Sequence, residues 1–373
     1  MRLRKVHLAS IVSYTILPPV LGGQKGIALF CKYISRHSQF TCITTRSNDP
    51  KLADGYEVVN LFSGSPLRYI NPIYFFSIRK IIRQKQITHI LLEHPYFGWL
   101  GLLLKWFTGV RLIVHSHNIE GLRWKTLGKW WWKILWHYEK MIHQKADYNF
   151  FKQDNDLAYA LQHFHLQPGR CLTITYGIEW QTPPAPTEKA AARKLLLQRH
   201  AIPAGHHLLL YNGAFNYPPN VKGLERILTQ INPVLQKQAG FNYTIIICGK
   251  DIPANLSGQS YPNVLFAGFV DDITTYFKGC DVFINAIIEG GGIKTKLVEA
   301  LGYNLNAVST TPGAIGIDPA ICNGKLQITD DITNGFAETI VAMAGYTADI
   351  PEAFFDHFYW DNIARKAARF IEQ

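Results

Sequence analysis

Short apolar runs alternate with longer amphipathic segments along the whole chain. The short runs are predicted as strands, and the longer segments, in which apolar residues recur at helical spacing, as helices. Such alternation indicates an α/β fold of doubly wound parallel sheets with helices on both faces. Strands are predicted at 6–13, 40–45, 57–62, 88–93, 111–115, 148–151 and 171–176, and again at 207–212, 243–248, 263–267, 281–285 and 306–309.

Helices are predicted between these strands at 72–83, 127–145, 221–238, 273–278 and 293–303, with a last helix over 351–373. The proline-rich segment 181–187 separates the two series of strands and is typical of a connection between domains. We therefore expect a first domain over 1–180, a linker over 181–204 and a second domain over 205–350. The helix over 351–373 is expected to pack back on the first domain.

Three consecutive glycines, Gly290, Gly291 and Gly292, precede the helix that is predicted to begin at Ile293. Glycine lets a ligand approach the backbone closely, and a helix starting there points its free N–H groups and the positive end of its dipole at that ligand. This arrangement suits a phosphate or diphosphate. The less specific interpretation is a tight turn before a core helix with solvated lysines.

Charged residues around the glycines support anion binding. Lys294 and Lys296 place positive charge in the first turn of a helix, where a bound anion explains cations better than helix stability does. Glu299 lies further along the helix and can accept hydrogen bonds from paired hydroxyls, such as those of a ribose. The segment matches neither the dinucleotide-binding fingerprint nor the phosphate loop that ends in Gly-Lys-Ser/Thr.

In the first domain, candidate binding residues follow the strands, because ligands of such sheets bind beyond the carboxyl ends of the strands. We expect His117 to contact substrate and His115 to be a satisfied loop histidine. A metal site formed by His115, His117 and Glu120 is the alternative at this strand end. The candidates are Gly22 and Gly23 after the first strand, Glu93 and His94 after the fourth, and the segment from His115 to Glu120 after the fifth.

Composition limits the class of protein. The 373 residues are enough for two α/β domains, and 47% apolar with only 17% charged residues argues against disorder. The six cysteines are scattered through apolar segments, which is typical of buried thiols in a reducing compartment. Polar residues interrupt the apolar run of the N-terminus, which favours a first strand over a signal peptide. No run of about 18 apolar residues predicts a membrane-spanning helix.

Positive charge and tryptophan are concentrated in the first half of the chain. Residues 1–180 carry 23 Lys and Arg against 10 Asp and Glu, with eight of the nine tryptophans, whereas residues 181–373 carry 15 against 17. Tryptophan favours the headgroup region of a membrane, and Lys and Arg favour anionic lipid. We therefore expect the first domain to bind an anionic membrane surface, and we find no motif for nucleic-acid recognition.

The helix predicted over 127–145 is the candidate contact with that membrane. Trp132 and Trp136 are expected to lie at headgroup depth, or else to pack against a neighbouring helix. They fall outside the two groups that a helical projection defines. These groups are a core stripe of Trp131, Ile134, Leu135, Tyr138 and Ile142, and a basic face of Lys133, His137 and Lys140.

Several short motifs occur in an order and spacing that resembles the retaining GT-B glycosyltransferases of glycosyltransferase family 4, over nearly the whole chain. In the first domain they are Gly22-Gly23, the segment 117–120, Glu139 before Ala146-Asp147, the segment 154–156 and the segment 176–179. In the second they are Asn212-Gly213 and the segments 217–220, 290–301 and 310–317. The resemblance implies two Rossmann-like domains facing across a cleft, with a nucleotide-diphosphate sugar on the second and the acceptor on the first.

The resemblance also implies roles for single residues. Glu299 matches the second of two family glutamates and would bind the donor ribose, whereas Gly291 occupies the first position, so that Glu289 is the candidate replacement. Lys222 is a poor match for the residues that neutralise the donor diphosphate, and this task is expected of Lys294. The resulting site has His117, Lys294 and Glu289 as catalytic residues, Gly213, Gly290, Gly291, Gly292, Ile293, Lys294 and Glu299 for the donor, and Gly22, Gly23, Glu93, His94, Asn118 and Glu120 for the acceptor.

We therefore expect a retaining, hexosyltransferase-like enzyme of cell-surface polysaccharide synthesis, with a glycan or lipid-linked acceptor and with no cofactor or metal beyond the donor substrate. It is expected to be cytoplasmic and peripherally associated with the inner face of the cytoplasmic membrane. Two alternatives keep the architecture: a nucleotide-sugar epimerase, and a catalytically silent relative acting as a membrane-associated assembly subunit. An NAD-dependent oxidoreductase is less consistent with the sequence, because no dinucleotide-binding fingerprint follows the first strand.

Overall fold

The computed structural model describes residues 6–20 and 22–372. The chain forms two compact units. The first contains the described residues up to Glu179 together with those from Tyr359 onward, and the second is Trp180–Phe358. Each unit is built on its own parallel sheet, as the alternation of apolar runs and amphipathic segments predicts.

The first unit has a seven-stranded parallel sheet in the order β3-β2-β1-β4-β5-β6-β7. Its central strands are buried on both faces, which explains why they read as nearly continuous apolar runs. The strand order reverses between β1 and β4, where ligands of such sheets bind. The strands are β1 (His7–Ile11), β2 (Gln39–Thr45), β3 (Glu57–Phe62), β4 (His89–Glu93), β5 (Arg111–Ser116), β6 (Tyr148–Phe151) and β7 (Cys171–Thr173).

Helices cover both faces of this sheet. On one face, α2, α3 and α5 pack side by side, and Ile78, Leu100 and Ile142 join one buried cluster with strand residues. On the other face, Phe30 of α1 contacts His115 with ring centroids 5.5 Å apart. The helices are α1 (Gly22–Ile34), α2 (Ile73–Lys85), α3 (Gly98–Thr108), α4 (Glu120–Thr126), α5 (Trp132–Lys145) and α6 (Asp154–His163).

Helix α5 buries a face that matches the predicted core stripe only in part, since Ile142 and Tyr138 pack in the core as predicted. Its buried residues are Glu139, Ile142 and His143, whereas Ile134, which was predicted for the core, is exposed. Trp136 packs on α6 and its flanking loop, donating to the Tyr159 hydroxyl at 3.1 Å and lying 5.4 Å from the Phe164 ring. For Trp136 the structure therefore supports packing within the protein rather than contact with lipid.

The second unit has a six-stranded parallel sheet in the order β10-β9-β8-β11-β12-β13. Its strands are β8 (His207–Ala214), β9 (Tyr243–Lys250), β10 (Val264–Gly268), β11 (Val282–Asn285), β12 (Asn306–Ser309) and β13 (Leu326–Ile328). Its helices are α7 (Pro186–Arg199), α8 (Pro218–Arg226), α9 (Asn232–Leu235), α10 (Ala254–Ser257), α11 (Ile273–Gly279), α12 (Thr295–Gly302), α13 (Asn334–Ala344) and α14 (Glu352–Phe358). A π-helical turn, Ile227–Ile231, joins α8 to α9. Strand β13 was not predicted; only Leu326 of its three residues is buried, so the segment shows no continuous apolar run.

The segment 181–204, which was predicted as a linker, contains α7. Pro186 is the first residue of that helix, a position that proline favours, and the helix packs against α11 in the second unit. A Cβ on Gly279 would lie 2.7 Å from the Leu196 side chain and 2.9 Å from the backbone of Ala192, so glycine permits this close approach. The irregular connection is therefore shorter than predicted.

The C-terminal segment 351–373 forms two helices within the described residues rather than one. Helix α14 belongs to the second unit, and α15 (Trp360–Ile371) belongs to the first, where it packs against α1. Trp360 is completely buried there, beside Phe30 and Tyr176. Across residues 6–20 and 22–372, none of the helices combines the length and the apolar character needed to span a membrane.

Candidate functional site

Loops at the carboxyl ends of three neighbouring strands form the predicted donor site of the second unit. Strands β8, β11 and β12 are adjacent and parallel, so their carboxyl ends meet at one edge of the sheet. Strand β8 ends with Gly213 and Ala214, β11 leads into a glycine-rich loop over 286–294, and β12 leads into the loop 310–317. The fold thus brings together the elements from which the donor-binding residues were predicted.

Buried hydrogen bonds tie the glycine-rich loop to the loop that follows β12. The side-chain amide of Asn285 donates to Ser309 Oγ and to the Gly313 carbonyl, both at 2.9 Å. The Thr310 hydroxyl donates to the Ile287 carbonyl and accepts from the Gly313 N–H at 3.0 Å. The two loops therefore form one connected structure at the edge of the sheet.

Lys294 closes the glycine-rich loop on itself rather than extending toward a ligand as predicted. Its ammonium donates to the carbonyl oxygens of Gly290, Gly291 and Gly292 at 3.2, 3.3 and 2.8 Å. A trans peptide points its C=O and N–H in opposite directions, so the N–H groups of Gly291, Gly292 and Ile293 point away from the lysine. Within the described part of the chain these three N–H groups have no acceptor.

The backbone of the loop explains its glycines. Gly290 and Gly292 have φ angles of 85° and 76°, in the left-handed region that favours glycine. Helix α12 begins at Thr295 instead of Ile293, and Lys294 is its N-cap residue. Burial lowers the pKa of Lys294 to about 8, although three carbonyl acceptors suit its charged form. The lysine thus orders the loop, and the loop N–H groups are the donors left for an anion.

Lys296 reaches across to the end of β8. Its Nζ donates to the Asn212 carbonyl at 2.9 Å and lies 3.5 Å from Asn220 Oδ1. Burial lowers the pKa of Lys296 to about 8, and the charge of Glu299 acts in the opposite direction. A Cβ on Gly213 would lie 3.0 Å from this ammonium, so glycine leaves room for the lysine. Glu299, predicted for the ribose, is half-buried on α12.

Glu289 is paired with two cations of α8. Lys222 Nζ donates to both carboxylate oxygens at 2.9 and 2.8 Å, and Arg226 Nη2 lies 3.5 Å from Oε1. The bond from Lys222 is the main reason that the pKa of Glu289 is lowered. Arg226 also donates to the Ala286 carbonyl at 3.3 Å. Lys222, a poor match in the sequence, therefore lies beside the glycine-rich loop together with an arginine that was not predicted.

In the first unit, Glu93 and His117 meet at the carboxyl ends of β4 and β5. His117 Nε2 donates to Glu93 Oε2 at 2.7 Å. Burial alone would raise the pKa of Glu93, but His115 and His117 hold it well below its ordinary value. Burial and the nearby His94 keep the pKa of His117 well below its ordinary value. The pair is therefore a carboxylate and a neutral imidazole protonated on Nε2, whose Nδ1 is left as an acceptor.

His94 and Glu120 form a second pair beside the first. His94 Nδ1 lies 3.2 Å from Glu120 Oε1, and its Nε2 lies 3.1 Å from the Tyr14 hydroxyl. The Tyr96 hydroxyl donates to Glu120 Oε2 at 2.6 Å. His94 has a φ of 75°, a strained conformation for a residue other than glycine, and its ring centroid is 4.3 Å from that of His117. The surrounding hydrogen bonds hold this conformation.

The two glutamates predicted to bind acceptor are buried and engaged within the protein. Glu93 Oε2 bonds to His117 and Glu120 Oε1 bonds to His94, so these carboxylates orient the histidines. The other oxygen of Glu93, Oε1, is buried and has no hydrogen-bond partner among the described residues. Glu139 in turn caps α4 and fixes Glu120, accepting from the N–H groups of Glu120 and Gly121 at 3.0 and 2.9 Å. Burial raises the pKa of Glu139 to about 8, while these two N–H donors favour its carboxylate form.

The remaining residues predicted for the acceptor are more exposed. Gly22 and Gly23 open α1 after β1 and are exposed, and Asn118 is half-buried between His117 and α4. Lys152 was not predicted, yet its ammonium is buried and has no hydrogen-bond partner among the described residues. Burial lowers the pKa of Lys152 to about 8, and the charge of Glu93 opposes that shift.

Glu93, His115 and His117 also have the chemistry of metal ligands, with one ligand atom of each within 4.8 Å of the others. The set predicted as the alternative contained Glu120, which instead bonds to His94. Two ligand atoms of a tetrahedral zinc ion lie roughly 3.3 Å apart when the bonds are about 2.0 Å long. The 2.7 Å separation of His117 Nε2 and Glu93 Oε2 is that of a hydrogen bond, which an ion would have to replace.

Two family models match the chain, Glycosyltransferase Family 4 over residues 22–180 and Glycosyl transferases group 1 over residues 206–345. Together they cover most of its length. The chain belongs to the family 4 glycosyltransferases. No curated protein matches this glycosyltransferase by sequence.

Solved structures show that the glycosyltransferase has the predicted two-domain, Rossmann-like GT-B fold. Sucrose-phosphate synthase from Thermosynechococcus elongatus has a TM-score of 0.72 and 14% identity, with 98% of both chains covered. HepE from Anabaena has a TM-score of 0.71 and 14% identity, with 98% of this chain and 99% of that chain covered. WaaG, a glycosyltransferase involved in lipopolysaccharide biosynthesis, has a TM-score of 0.61 and 12% identity, with 97% of this chain and 95% of that chain covered. At such identities the likeness establishes the fold alone.

Four residues at the two sites of this glycosyltransferase either were not predicted from the sequence or were noted without the contacts that the structure shows. They are Tyr14, Lys152, Arg226 and Lys296. Arg226 follows Lys222 by four residues, a spacing that places both on one helical face and could have revealed the pair. Tyr14 contacts a residue 80 positions away and Lys296 one 84 positions away, so only the folded chain shows their partners.

Proposed function

We propose that this family 4 glycosyltransferase is a retaining enzyme that moves a sugar from a nucleotide-diphosphate sugar to a glycan or lipid-linked acceptor in cell-surface polysaccharide synthesis. The glycine-rich loop carries the proposal, because Lys294 binds its carbonyls and the N–H groups of Gly291, Gly292 and Ile293 point the other way. Successive N–H donors of this kind match the oxygens of a diphosphate. HepE was crystallised with UDP and with UDP-glucose, and WaaG takes part in lipopolysaccharide biosynthesis, which supports this class of donor and acceptor.

On the donor side, Lys222 and Arg226 supply the side-chain cations that the sequence did not reveal. They are paired with Glu289, so a bound diphosphate competes with that carboxylate for the same cations. The exchange releases Glu289 to accept hydrogen bonds from hydroxyls of the sugar, while Glu299 accepts from those of the ribose. Negative charge that develops on the leaving diphosphate is stabilised by the loop N–H groups and the two cations, without a metal or cofactor.

On the acceptor side, His117 contacts the transferring sugar or the acceptor. Its Nε2 proton is committed to Glu93, so its Nδ1 accepts a hydrogen bond from a sugar hydroxyl. His94 lies against it and is fixed by Tyr14 and Glu120. The enzyme acts in the cytoplasm, peripherally associated with the inner face of the cytoplasmic membrane, where a lipid-linked acceptor would be found.

The donor is tested first by binding. Uridine, guanosine and adenosine diphosphates and their sugars are screened for a rise in melting temperature, since a ligand at a hundred times its Kd stabilises the native state by ~2.7 kcal/mol. Nucleotides of one base should raise the melting temperature more than those of the other two. The absence of stabilisation by every nucleoside diphosphate would contradict the donor assignment.

The reaction is then tested with the selected donor. Release of nucleoside diphosphate should require an acceptor, and proton NMR of the product should show the same anomeric configuration as the donor. Release without an acceptor would indicate the epimerase, and binding without any turnover across acceptors would indicate the catalytically silent relative. An inverted product would contradict the retaining mechanism while leaving sugar transfer intact.

A further inference from the structure

We propose that the outer face of α2, α3 and α5 docks on an anionic lipid bilayer. The inference rests on the proposed function in one respect, since it names the surface through which the enzyme meets a lipid-linked acceptor. We call this surface the basic aromatic face. Its residues are Ile73, Phe76, Lys80 and Arg83 of α2, Trp106 and Phe107 of α3, and Ile134, Met141 and Lys145 of α5.

The three helices form one continuous surface because they cover the same side of the sheet and touch one another. Phe75 of α2 and Phe107 of α3 have ring centroids 5.6 Å apart. Lys105 of α3 donates to the Lys145 carbonyl of α5 at 2.9 Å, and the Lys145 ammonium lies 5.7 Å from the Trp106 ring. Residues that point outward from these helices therefore share one face.

Large apolar side chains of this face are in water. The exposed fractions are 65% for Ile73, 66% for Phe76, 62% for Trp106, 61% for Phe107 and 65% for Ile134. Ile73, Phe76, Lys80 and Arg83 recur at helical spacing on the outer side of α2, so apolar and basic groups are interleaved. An exposed apolar patch of this kind marks a surface that binds another body.

The segment of the chain that carries the patch is strongly basic. Residues 58–146 contain 13 Lys and Arg and three carboxylates, and all three carboxylates, Glu93, Glu120 and Glu139, are buried. The next carboxylates on either side are paired, Glu57 with Lys85 at 2.6 Å and Asp147 with Lys105 at 2.9 Å. The face is therefore complementary to a partner that is negatively charged.

A bilayer with anionic lipid matches both properties. Aromatic rings lie at headgroup depth while Lys and Arg reach the lipid phosphates. A soluble polyanion would neutralise the lysines but leave the isoleucines and aromatic rings in water. A second copy of the same face would bring two sets of cations together without a carboxylate between them. The combination of exposed apolar groups and unopposed positive charge selects the membrane.

The test is co-sedimentation with phosphatidylcholine vesicles that contain or lack phosphatidylglycerol, at low and at high salt. The wild-type enzyme should bind only with phosphatidylglycerol and should be released by salt. The double variants Phe76→Ser/Phe107→Ser and Lys80→Glu/Arg83→Glu should each bind at least tenfold more weakly. Wild-type enzyme that stays in the supernatant with anionic vesicles at low salt would overturn the proposal.

Matched controls show whether the position of these residues matters. Phe269→Ser removes a phenylalanine of the second unit that is 59% exposed, and Lys366→Glu/Arg369→Glu reverses two exposed charges on α15. Both controls should bind vesicles like the wild type. Equal losses in the controls and in the variants of the basic aromatic face would place the contact elsewhere and overturn the assignment.

Two further measurements separate this inference from the proposed function. The variants of the basic aromatic face should keep the stabilisation by nucleoside diphosphate, because the donor loop belongs to the second unit. Vesicle binding without any nucleotide binding would contradict the proposed function and leave the docking face standing. Light scattering should show the same mass for wild type and variants, and a dimer that the Phe76→Ser/Phe107→Ser change dissociates would overturn the membrane assignment.

Discussion

Glu93 Oε2 accepts a hydrogen bond of 2.7 Å from His117 Nε2, at the carboxyl ends of two neighbouring strands. Because the pKa of each group is held well below its ordinary value, a carboxylate faces a neutral imidazole whose proton lies on Nε2. In the serine-protease triad, replacing the carboxylate that fixes the histidine tautomer lowers kcat by about 10⁴. Glu93 fixes the proton of His117 in the same physical sense, and Nδ1 is left as the acceptor that we propose for a substrate hydroxyl.

The replacement Glu93→Gln should lower the transfer rate and leave nucleotide binding unchanged. Glutamine can present either an oxygen or an NH₂ group to His117, so it no longer fixes the proton on Nε2. We expect kcat to fall by roughly tenfold to a hundredfold. Nitrogen-15 shifts of the His117 ring report the tautomer, and Glu57→Gln is the control for an exposed carboxylate. A lower rate with the Nε2 tautomer retained would show that Glu93 acts in another way.

The replacement His117→Ala should reduce turnover tenfold or more while the Kd of the free nucleoside diphosphate stays nearly constant. The reason is that His117 belongs to the first unit, whereas the proposed binding site of the diphosphate is the glycine-rich loop of the second. Turnover and calorimetric Kd are measured on the same preparation, with His137→Ala on the exposed side of α5 as control. Equal losses in affinity and turnover would mean that His117 contacts the nucleotide.

The replacement Lys294→Met should weaken binding of the nucleoside diphosphate but not of the parent nucleoside. Methionine cannot donate to the three loop carbonyls, so the loop loses the contacts that set the direction of its N–H groups. A tenfold rise in Kd, equivalent to ~1.4 kcal/mol, is expected by calorimetry. Glu299→Gln should instead weaken the binding of both the diphosphate and the nucleoside, because we propose that Glu299 binds the ribose through charge-assisted hydrogen bonds. If the Lys294→Met variant binds the diphosphate with an unchanged Kd, Lys294 does not contribute to the donor site.

Changes at Glu289 and Lys222 should act on diphosphate affinity in opposite directions. Glu289→Gln frees Lys222 and Arg226 from their carboxylate and should tighten binding of the nucleoside diphosphate at low salt. Lys222→Met should weaken it, and the difference between the two variants should shrink as salt is added. Transfer by Glu289→Gln should nevertheless fall, because we propose that the carboxylate contacts the sugar. Weaker diphosphate binding in both variants would contradict the proposal that the diphosphate and Glu289 compete for Lys222 and Arg226.

Buried histidines should make the stability of the first unit depend on pH. Burial is the main cause that lowers the pKa of His89, His115 and His143 to about 4, from an ordinary value of 6.5. Between these values the unfolded chain binds protons that the folded chain does not, so the free energy of unfolding falls as pH falls from 6.5 to 4. One unit of pKa difference is worth roughly 1.4 kcal/mol. Even one of these histidines should therefore give a measurable loss.

Urea unfolding followed by tryptophan fluorescence measures this loss, because eight of the nine tryptophans belong to the first unit. The transition midpoint should move to lower urea between pH 7 and pH 5. His143→Gln should flatten the dependence, whereas His137→Gln, on the exposed side of α5, should leave it as in the wild type. A midpoint that is independent of pH would contradict burial of neutral histidines.

The sequence predicted the architecture well because the sheets are parallel and buried. Strands β4, β5 and β11 are short apolar runs bounded by polar residues, and this pattern does not depend on tertiary detail. The buried face of α5 could not be predicted in the same way. Glu139 and His143 are polar but buried, because Glu139 caps α4 and His143 lies 2.9 Å from Ser116 Oγ. A projection based on hydrophobicity places such residues on the surface.

In the candidate site, too, the positions of some residues could be predicted from the sequence, whereas their contacts could not. The glycine-rich loop could be found from three consecutive glycines before a helix, and Glu93, His94 and His117 could be found from their positions after strands. The contacts of Lys294 could not, because they depend on the left-handed conformations of Gly290 and Gly292. The roles of these residues in binding and transfer stay predictions, which the measurements above are designed to test.

The response of the loop amides to a nucleoside diphosphate shows most directly whether the glycine-rich loop binds the donor. In protein labelled with nitrogen-15 at glycine and isoleucine, the signals of Gly291, Gly292 and Ile293 should shift when the selected diphosphate is added. The parent nucleoside should leave them nearly unchanged, and Gly23 in the first unit should respond to neither ligand. If the diphosphate saturates the enzyme while these three amides keep the positions they have with the nucleoside, the loop does not bind the diphosphate and the account is contradicted.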